Sequence, residues 1–139
     1  MKTETMRENL VSFLDDWARR GSEPAIAHRR GLRVVRWSYS ELRATAFQFA
    51  RELDGRGIEK GDRVLFWARN SPEWVAGFFG CLLRGVVVVP LDLESTPEFV
   101  ARIQQQVAAK LILGGREHLR FAPNVPAVVL EDLPQIVAR

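Results

Sequence analysis

The sequence predicts an α/β fold, a mostly parallel sheet flanked by helices and preceded by an N-terminal helix and a β-hairpin. Two observations carry this prediction. From residue 38 onward, runs with helical periodicity alternate with short β-favouring runs, the order expected when helices cross over between parallel strands. The run Val86 to Val89 is four consecutive valines ending at Pro90, a strand with no wet face.

Each element has its own signal. Met6, Leu10, Phe13, Leu14 and Trp17 recur at helical spacing, and Gly21 closes that helix. Pro24 to Arg30 and Arg33 to Trp37 are β-favouring runs separated by Gly31-Leu32, a hairpin. Ser38, three residues before Glu41, forms a capping box, and Tyr39, Leu42, Ala46, Phe49, Ala50 and Leu53 make the apolar stripe behind it. That helix ends in Asp54-Gly55-Arg56-Gly57, and a strand follows over Arg63 to Ala68. Ser71 as N-cap, Pro72 at the first helical position and Glu73 in the first turn start a helix that runs to Arg84, with Gly85 as its cap. After the valine strand and a turn around Asp92 to Ser95, a helix is predicted from Pro97 to Ala108, with Phe99, Val100, Ile103 and Val107 on one side. Short strands at Lys110 to Leu113 and Ala127 to Leu130 precede a polar, Pro-interrupted end.

With 139 residues, the chain fills one core and hardly two, so residues 1–139 read as a single domain or part of one. Its 47% hydrophobic and 27% charged residues are those of an ordinary globular domain. The net charge of +3 arises in residues 1 to 60, which hold twelve basic and nine acidic side chains, against eight of each in the remainder. Arg19, Arg20, Arg29, Arg30, Arg33 and Arg36 are interleaved with Glu23 and apolar residues rather than with aromatics, which argues against a nucleic-acid partner. Cys81 stands alone, so no internal disulfide or cysteine metal cluster forms. The acidic start, with Glu4, Glu8, Asp15 and Asp16, lacks the apolar core of an export signal, and a cytoplasmic protein is expected. Trp74 to Leu91 falls short of the roughly 20 apolar residues of a membrane span and breaks at Arg84-Gly85, so no membrane span is expected.

The helix from Ser71 to Arg84 has no polar face, since Trp74 to Leu83 is apolar throughout. A helix apolar all round is a buried helix. Burying a Trp, Phe or Leu contributes about 1.5 to 3 kcal/mol, a large share of the roughly 7 to 20 kcal/mol that holds a domain of this size. The sequence therefore predicts that something covers residues 71–84: a part of the protein beyond this segment, a second copy, or the N-terminal helix on one side and the sheet on the other.

Side chains able to carry chemistry are few. Gly55-Arg56-Gly57 lies after a helix and before a strand, the reverse of a dinucleotide-binding turn. No glycine-rich loop ending in Lys and Ser or Thr is present to cradle a phosphate. Ser71 reads as an N-cap rather than a nucleophile, His28 and His118 as packing or surface residues rather than metal ligands, and Cys81 as an inert core thiol. No catalytic, cofactor-binding or metal residue is assigned.

Five stretches in register carry a resemblance. Trp37-Ser38-Tyr39-Ser40-Glu41-Leu42, Gly57-Ile58-Glu59-Lys60-Gly61-Asp62-Arg63-Val64, Asn70-Ser71-Pro72-Glu73-Trp74, Gly85 to Leu91, and Ala109-Lys110-Leu111-Ile112-Leu113 are similar to the beginning of an AMP-forming acyl-adenylate ligase. This is the superfamily of acyl-CoA synthetases, luciferases and peptide-synthetase adenylation domains. The resemblance implies that residues 1–139 are the N-terminal portion, an incomplete part, of a larger adenylation domain. It also implies a reaction in which ATP and a carboxylic acid give an acyl-adenylate and pyrophosphate, after which coenzyme A takes the acyl group, with Mg²⁺ as the metal. The phosphate loop, the adenosine and ribose motifs and the catalytic Lys of that family have no counterpart in this sequence, so the chain alone is expected to be inactive. Pro90-Leu91-Asp92 and Ser95 to Phe99 are similar to ligases of longer fatty acids, which makes a fatty acid the expected substrate of the whole enzyme. The alternative is a free-standing α/β interaction or regulatory module derived from that fold. A small nucleotide binder is disfavoured by the missing glycine-rich turn.

Overall fold

A computed structural model describes residues 8–122 and 124–138. The elements are α1 (Phe13–Arg20), β1 (Pro24–Arg30), β2 (Arg33–Ser38), α2 (Tyr39–Gly55), β3 (Arg63–Trp67), α3 (Pro72–Arg84), β4 (Val87–Pro90), α4 (Pro97–Val107), β5 (Leu111–Gly114), α5 (Arg116–Leu119), β6 (Ala127–Val129) and α6 (Leu133–Val137). β1 and β2 form the expected antiparallel hairpin, and β3 to β6 form one parallel sheet in the order β4-β3-β5-β6. No helix among the described residues is long and apolar enough to cross a membrane.

The centre of the sheet is buried on both faces because Val64 to Trp67 of β3 and Leu111 to Gly114 of β5 are apolar throughout, and the pleat sends alternate residues to opposite sides. Val64, Phe66, Leu111 and Leu113 join α2, α3, α6 and the hairpin in one core cluster. Leu65, Trp67 and Ile112 meet Val100 of α4 in a second cluster on the other side. β3 lies between β4 and β5, so the crossover helix α3 falls on the first face and α4 on the second.

Local signals do what the sequence predicts. The Ser38 hydroxyl accepts the Glu41 N–H at 3.1 Å and the Glu41 carboxylate accepts the Ser38 N–H at 3.1 Å, completing the capping box. Ser71 and Thr96 cap α3 and α4 by accepting N–H groups of Trp74 and Phe99. Gly85 closes α3 in the left-handed region at φ 73°, where a side chain would be strained and a Cβ would lie 2.9 Å from Lys60 Cγ.

The structure differs from the sequence reading in four places. The N-terminal helix begins at Phe13 after a 3-10 turn over Leu10–Ser12, and Met6 lies outside the described residues. β4 starts at Val87, because the Val86 N–H still bonds Cys81 O in the cap of α3, and as the edge strand of the described sheet it leaves Val87 exposed and Val88 and Val89 half-buried rather than having no wet face. β5 continues through Gly114, paired with Trp67. The stretch after β5 and the chain end, read as irregular, hold α5 and α6. Pro134 falls in the first turn of α6, where proline is tolerated, and Leu133 and Val137 beside it are buried.

The covering of α3 comes largely from within the described residues, though it is less complete than the burial its composition predicts. Gly80 sits against Phe49 and the Ala46 carbonyl of α2, Gly77 against Leu113 and Phe66 of the sheet, and Phe79 against Trp17 of α1 with ring centroids 4.6 Å apart. Trp74, Val75, Phe78, Phe79, Leu82 and Leu83 remain half-buried rather than open. The helix that covers α3 opposite the sheet is α2, which the sequence reading did not name as a cover; the N-terminal helix α1 adds the Trp17 ring on Phe79.

Candidate functional site

In a sheet whose strand order doubles back, the crevice at the carboxyl ends of the strands is where ligands bind. Here the switch lies between β3 and β5, and the chain leaves these strands through Ala68-Arg69-Asn70, Leu91 to Leu93 and Gly115.

On the β3–β4 side, a cleft of about 460 Å³ opens between Phe66, Ala68, Arg69, Asn70, Trp74, Pro90, Leu91 and Leu93. Its shape follows from local structure. The Leu91 N–H bonds Phe66 O at 2.9 Å, carrying the β4 chain past the end of the sheet. Asp92 Oδ1 then accepts the Glu94 N–H at 2.9 Å and turns the chain away. Trp74, in the first turn of α3, meets Phe66 edge-on at 5.3 Å and stacks on Phe78 at 5.5 Å, which fixes the indole as one wall. The lining is apolar apart from Arg69 and Asn70, and Arg69 faces Glu117 at 3.6 Å. The exposed surface of this cleft is nonetheless as polar as it is apolar, and its lining contains no nucleophile and no acid–base pair.

On the β3–β5 side, the Gly115 N–H bonds Trp67 O at 3.0 Å, and α5 places the His118 ring 5.1 Å from the Trp67 ring. Glu131 Oε2 accepts the Arg116 N–H at 2.9 Å, and Arg116 pairs with Asp132 at 2.6 Å. Trp67 Nε1 and His118 Nδ1 are buried without a hydrogen-bond partner. The sequence reading passed over this contact, since Trp67 read as strand core and His118 as loop.

Ser71, His28, His118, Cys81 and the Gly55–Gly57 turn each have a definite structural setting. The Ser71 hydroxyl is engaged as a cap at 3.1 Å from the Trp74 N–H. His28 is on β1, paired in register with Val35, and His118 is on α5. Cys81 is fully buried, and desolvation pushes its thiol far above the ordinary range, so it carries no thiolate. Gly55-Arg56-Gly57 forms the closing turn of α2, with the Gly57 N–H bonded to Asp54 O and the Ile58 N–H to Leu53 O, so its amides are not free for a phosphate. No group of three His, Cys, Asp or Glu side chains among the described residues is placed to hold a metal.

Several known proteins are similar to this chain over most of its length. The 3-hydroxybenzoate/4-hydroxybenzoate–CoA ligase of Thauera aromatica is 37% identical over 102 residues, which cover 73% of this chain and 19% of that protein. A long-chain-fatty-acid–CoA ligase of Mycobacterium tuberculosis is 32% identical over 94 residues, covering 68% of this chain and 18% of that protein. The chain thus spans about a fifth of the length of the curated relatives it matches. The fold is similar to that of a fatty acyl-adenylate ligase from L. pneumophila, with TM-score 0.76 at 22% identity over 89% of this chain and 23% of that one. It is likewise similar to the N-terminal subdomain of Klebsiella oxytoca NpsA, with TM-score 0.76 at 19% identity over 94% of this chain and 33% of that one. The family model described as AMP-binding enzyme matches residues 13–137, nearly the whole chain, and the protein belongs to this family, the AMP-dependent synthetases and ligases.

Proposed function

We propose that residues 1–139 form the N-terminal portion of the large adenylation domain of an ATP-dependent, AMP-forming carboxylic acid–CoA ligase, and that this portion supports the reaction without performing it. The observation that carries the reading is the pairing of a family match over residues 13–137 with a strand-end crevice that holds no nucleophile, no acid–base pair and no phosphate loop. In the whole enzyme, the acid and ATP would give an acyl-adenylate and pyrophosphate, and coenzyme A would then receive the acyl group. This portion is proposed to hold neither ATP, Mg²⁺ nor coenzyme A, because the strand-end crevice offers no phosphate loop. Its part is to supply a rigid sheet edge and the half-buried face of α3 on which the rest of the domain, or failing that a second copy, would pack. The whole protein is proposed to work in the cytoplasm.

A fatty acid is the substrate proposed from the Pro90–Phe99 wording, and the relative from Mycobacterium tuberculosis supports it. A hydroxybenzoate is the second reading, favoured by the higher identity to the Thauera aromatica ligase. The test is acid-dependent exchange of pyrophosphate into ATP by the protein translated from the whole reading frame that carries these residues. Exchange with long-chain acids but not hydroxybenzoates supports the first reading, and the converse supports the second. No exchange with either, together with a native product of only 139 residues, would favour the free-standing interaction module.

A further inference from the structure

The β1–β2 hairpin has two faces of different chemistry. On the inner face, Ile26, Val35 and Trp37 join the core, and Arg30 pairs with the buried carboxylate of Glu73 on α3. On the outer face the register sets Arg29 opposite Val34 and Ala27 opposite Arg36, all exposed, and the turn presents Leu32 wholly to solvent at 103% of its reference exposure. No acidic residue occurs from Pro24 to Ser40. Among the described residues, Arg29, Arg33 and Arg36 make no ion pair.

We propose that this hairpin is a peripheral membrane-contact element, with Arg29 and Arg36 of the outer face, and Arg33, which falls by register opposite Arg30 on the inner face but is exposed beside the turn, engaging the phosphates of anionic lipids and Leu32 and Val34 entering the headgroup layer. An apolar tip ringed by unneutralised guanidinium groups matches a bilayer surface, where negative charge lies above apolar chains. Arginine binds phosphate bidentately, and the Arg30–Glu73 pair anchors the hairpin so that its outer face stays turned outward. Nucleic acid fits less well, because single strands are held by exposed aromatic platforms and the hairpin's one aromatic, Trp37, is buried inward. An acidic protein also fits less well, because a stable protein interface takes roughly 20 to 30 residues a side, far more than this face presents. The inference is independent of the ligase reading.

The test is co-sedimentation of the 139-residue chain with vesicles of phosphatidylcholine alone and of phosphatidylcholine mixed with phosphatidylglycerol. Binding is expected to the anionic vesicles only and to weaken with salt. Neutralising each arginine to Gln lowers the partition coefficient about fivefold, so the triple variant of Arg29, Arg33 and Arg36 loses roughly a hundredfold. Leu32→Asp also lowers it, while Arg102→Glu, exposed on α4 across the sheet, does not. A polarity-sensitive dye on Leu32→Cys, specific because Cys81 is buried, shifts to the blue on anionic vesicles. Equal binding to both vesicle types, binding that survives the triple variant or Leu32→Asp, or binding to nucleic acid or an acidic protein with none to vesicles overturns the proposal.

Discussion

Gly80 shows how one residue sets the spacing of two helices. A Cβ there would lie 2.7 Å from Phe49 Cδ1 and 2.9 Å from the Ala46 carbonyl oxygen, so α2 backbone would have to move. At Gly77, three residues earlier, a Cβ would meet Leu113 Cδ2 at 2.8 Å, the far end of a side chain that can turn aside. Both substitutions to Ala gain helix propensity of about 1 kcal/mol. Overpacking against the α2 backbone at Gly80 costs about 1 to 3 kcal/mol, which offsets or outweighs that gain. Urea denaturation should therefore find Gly80→Ala less stable than Gly77→Ala; equal midpoints would refute the close approach of α2 and α3.

Asp62 gives the residue scale a pH dependence. Its carboxylate accepts the Glu59 N–H at 2.7 Å and the Lys110 ammonium at 2.9 Å, which hold its pKa below the ordinary 3.8. A depressed pKa in the folded state means the unfolded chain binds the proton more readily, so the contribution is complete above 3.8 and is lost as pH falls through the lower folded value. Asp62→Asn should thus lower the denaturation midpoint at neutral pH, and the gap to wild type should close in acid below pH 3.8. A gap that widens in acid would contradict this assignment.

Among the elements, α4 ends less comfortably than α3. α3 closes on Gly85, whereas α4 closes on Ala108 at φ 50°, the one non-glycine residue with positive φ among those described. The geometry is held by the Ala109 N–H bonding Gln104 O at 3.1 Å and by the Gln104 side-chain amide bonding Ala109 O at 3.1 Å. Ala108→Gly should raise stability by about 0.5 to 1 kcal/mol, because glycine adopts this conformation without the Cβ clash. Calorimetry showing a lower melting temperature would mean the left-handed cap is not formed.

The long elements were legible because their signals are local: a capping box at Ser38, Ser71-Pro72-Glu73 at the start of α3, and four valines for β4. α5 and α6 were not. α5 is four residues long with no side-chain cap, and α6 is held by burial of Leu133 and Val137 against distant elements rather than by its own propensity. The same limit applies to the crevice. Trp74 and Leu93 face one cleft only because β3 and β4 end side by side, and the Trp67–His118 contact joins residues 51 apart in sequence. No periodicity reports such a meeting. What the sequence did convey about function came from five short stretches in register, each of which the fold employs structurally: as a cap, a turn, a helix start or a strand.

At the scale of the whole molecule, the described sheet stops at β4 and β6, and α3 keeps six large apolar side chains half-buried. Parallel sheets are ordinarily covered on both faces and their edges protected. These surfaces fit the proposal of a segment that completes its burial against further parts of an adenylation domain. The most direct test is acid-dependent exchange of pyrophosphate into ATP by the purified 139-residue chain, assayed with fatty acids and hydroxybenzoates. The account predicts no exchange above the acid-free blank with any acid; exchange by this chain alone would contradict it.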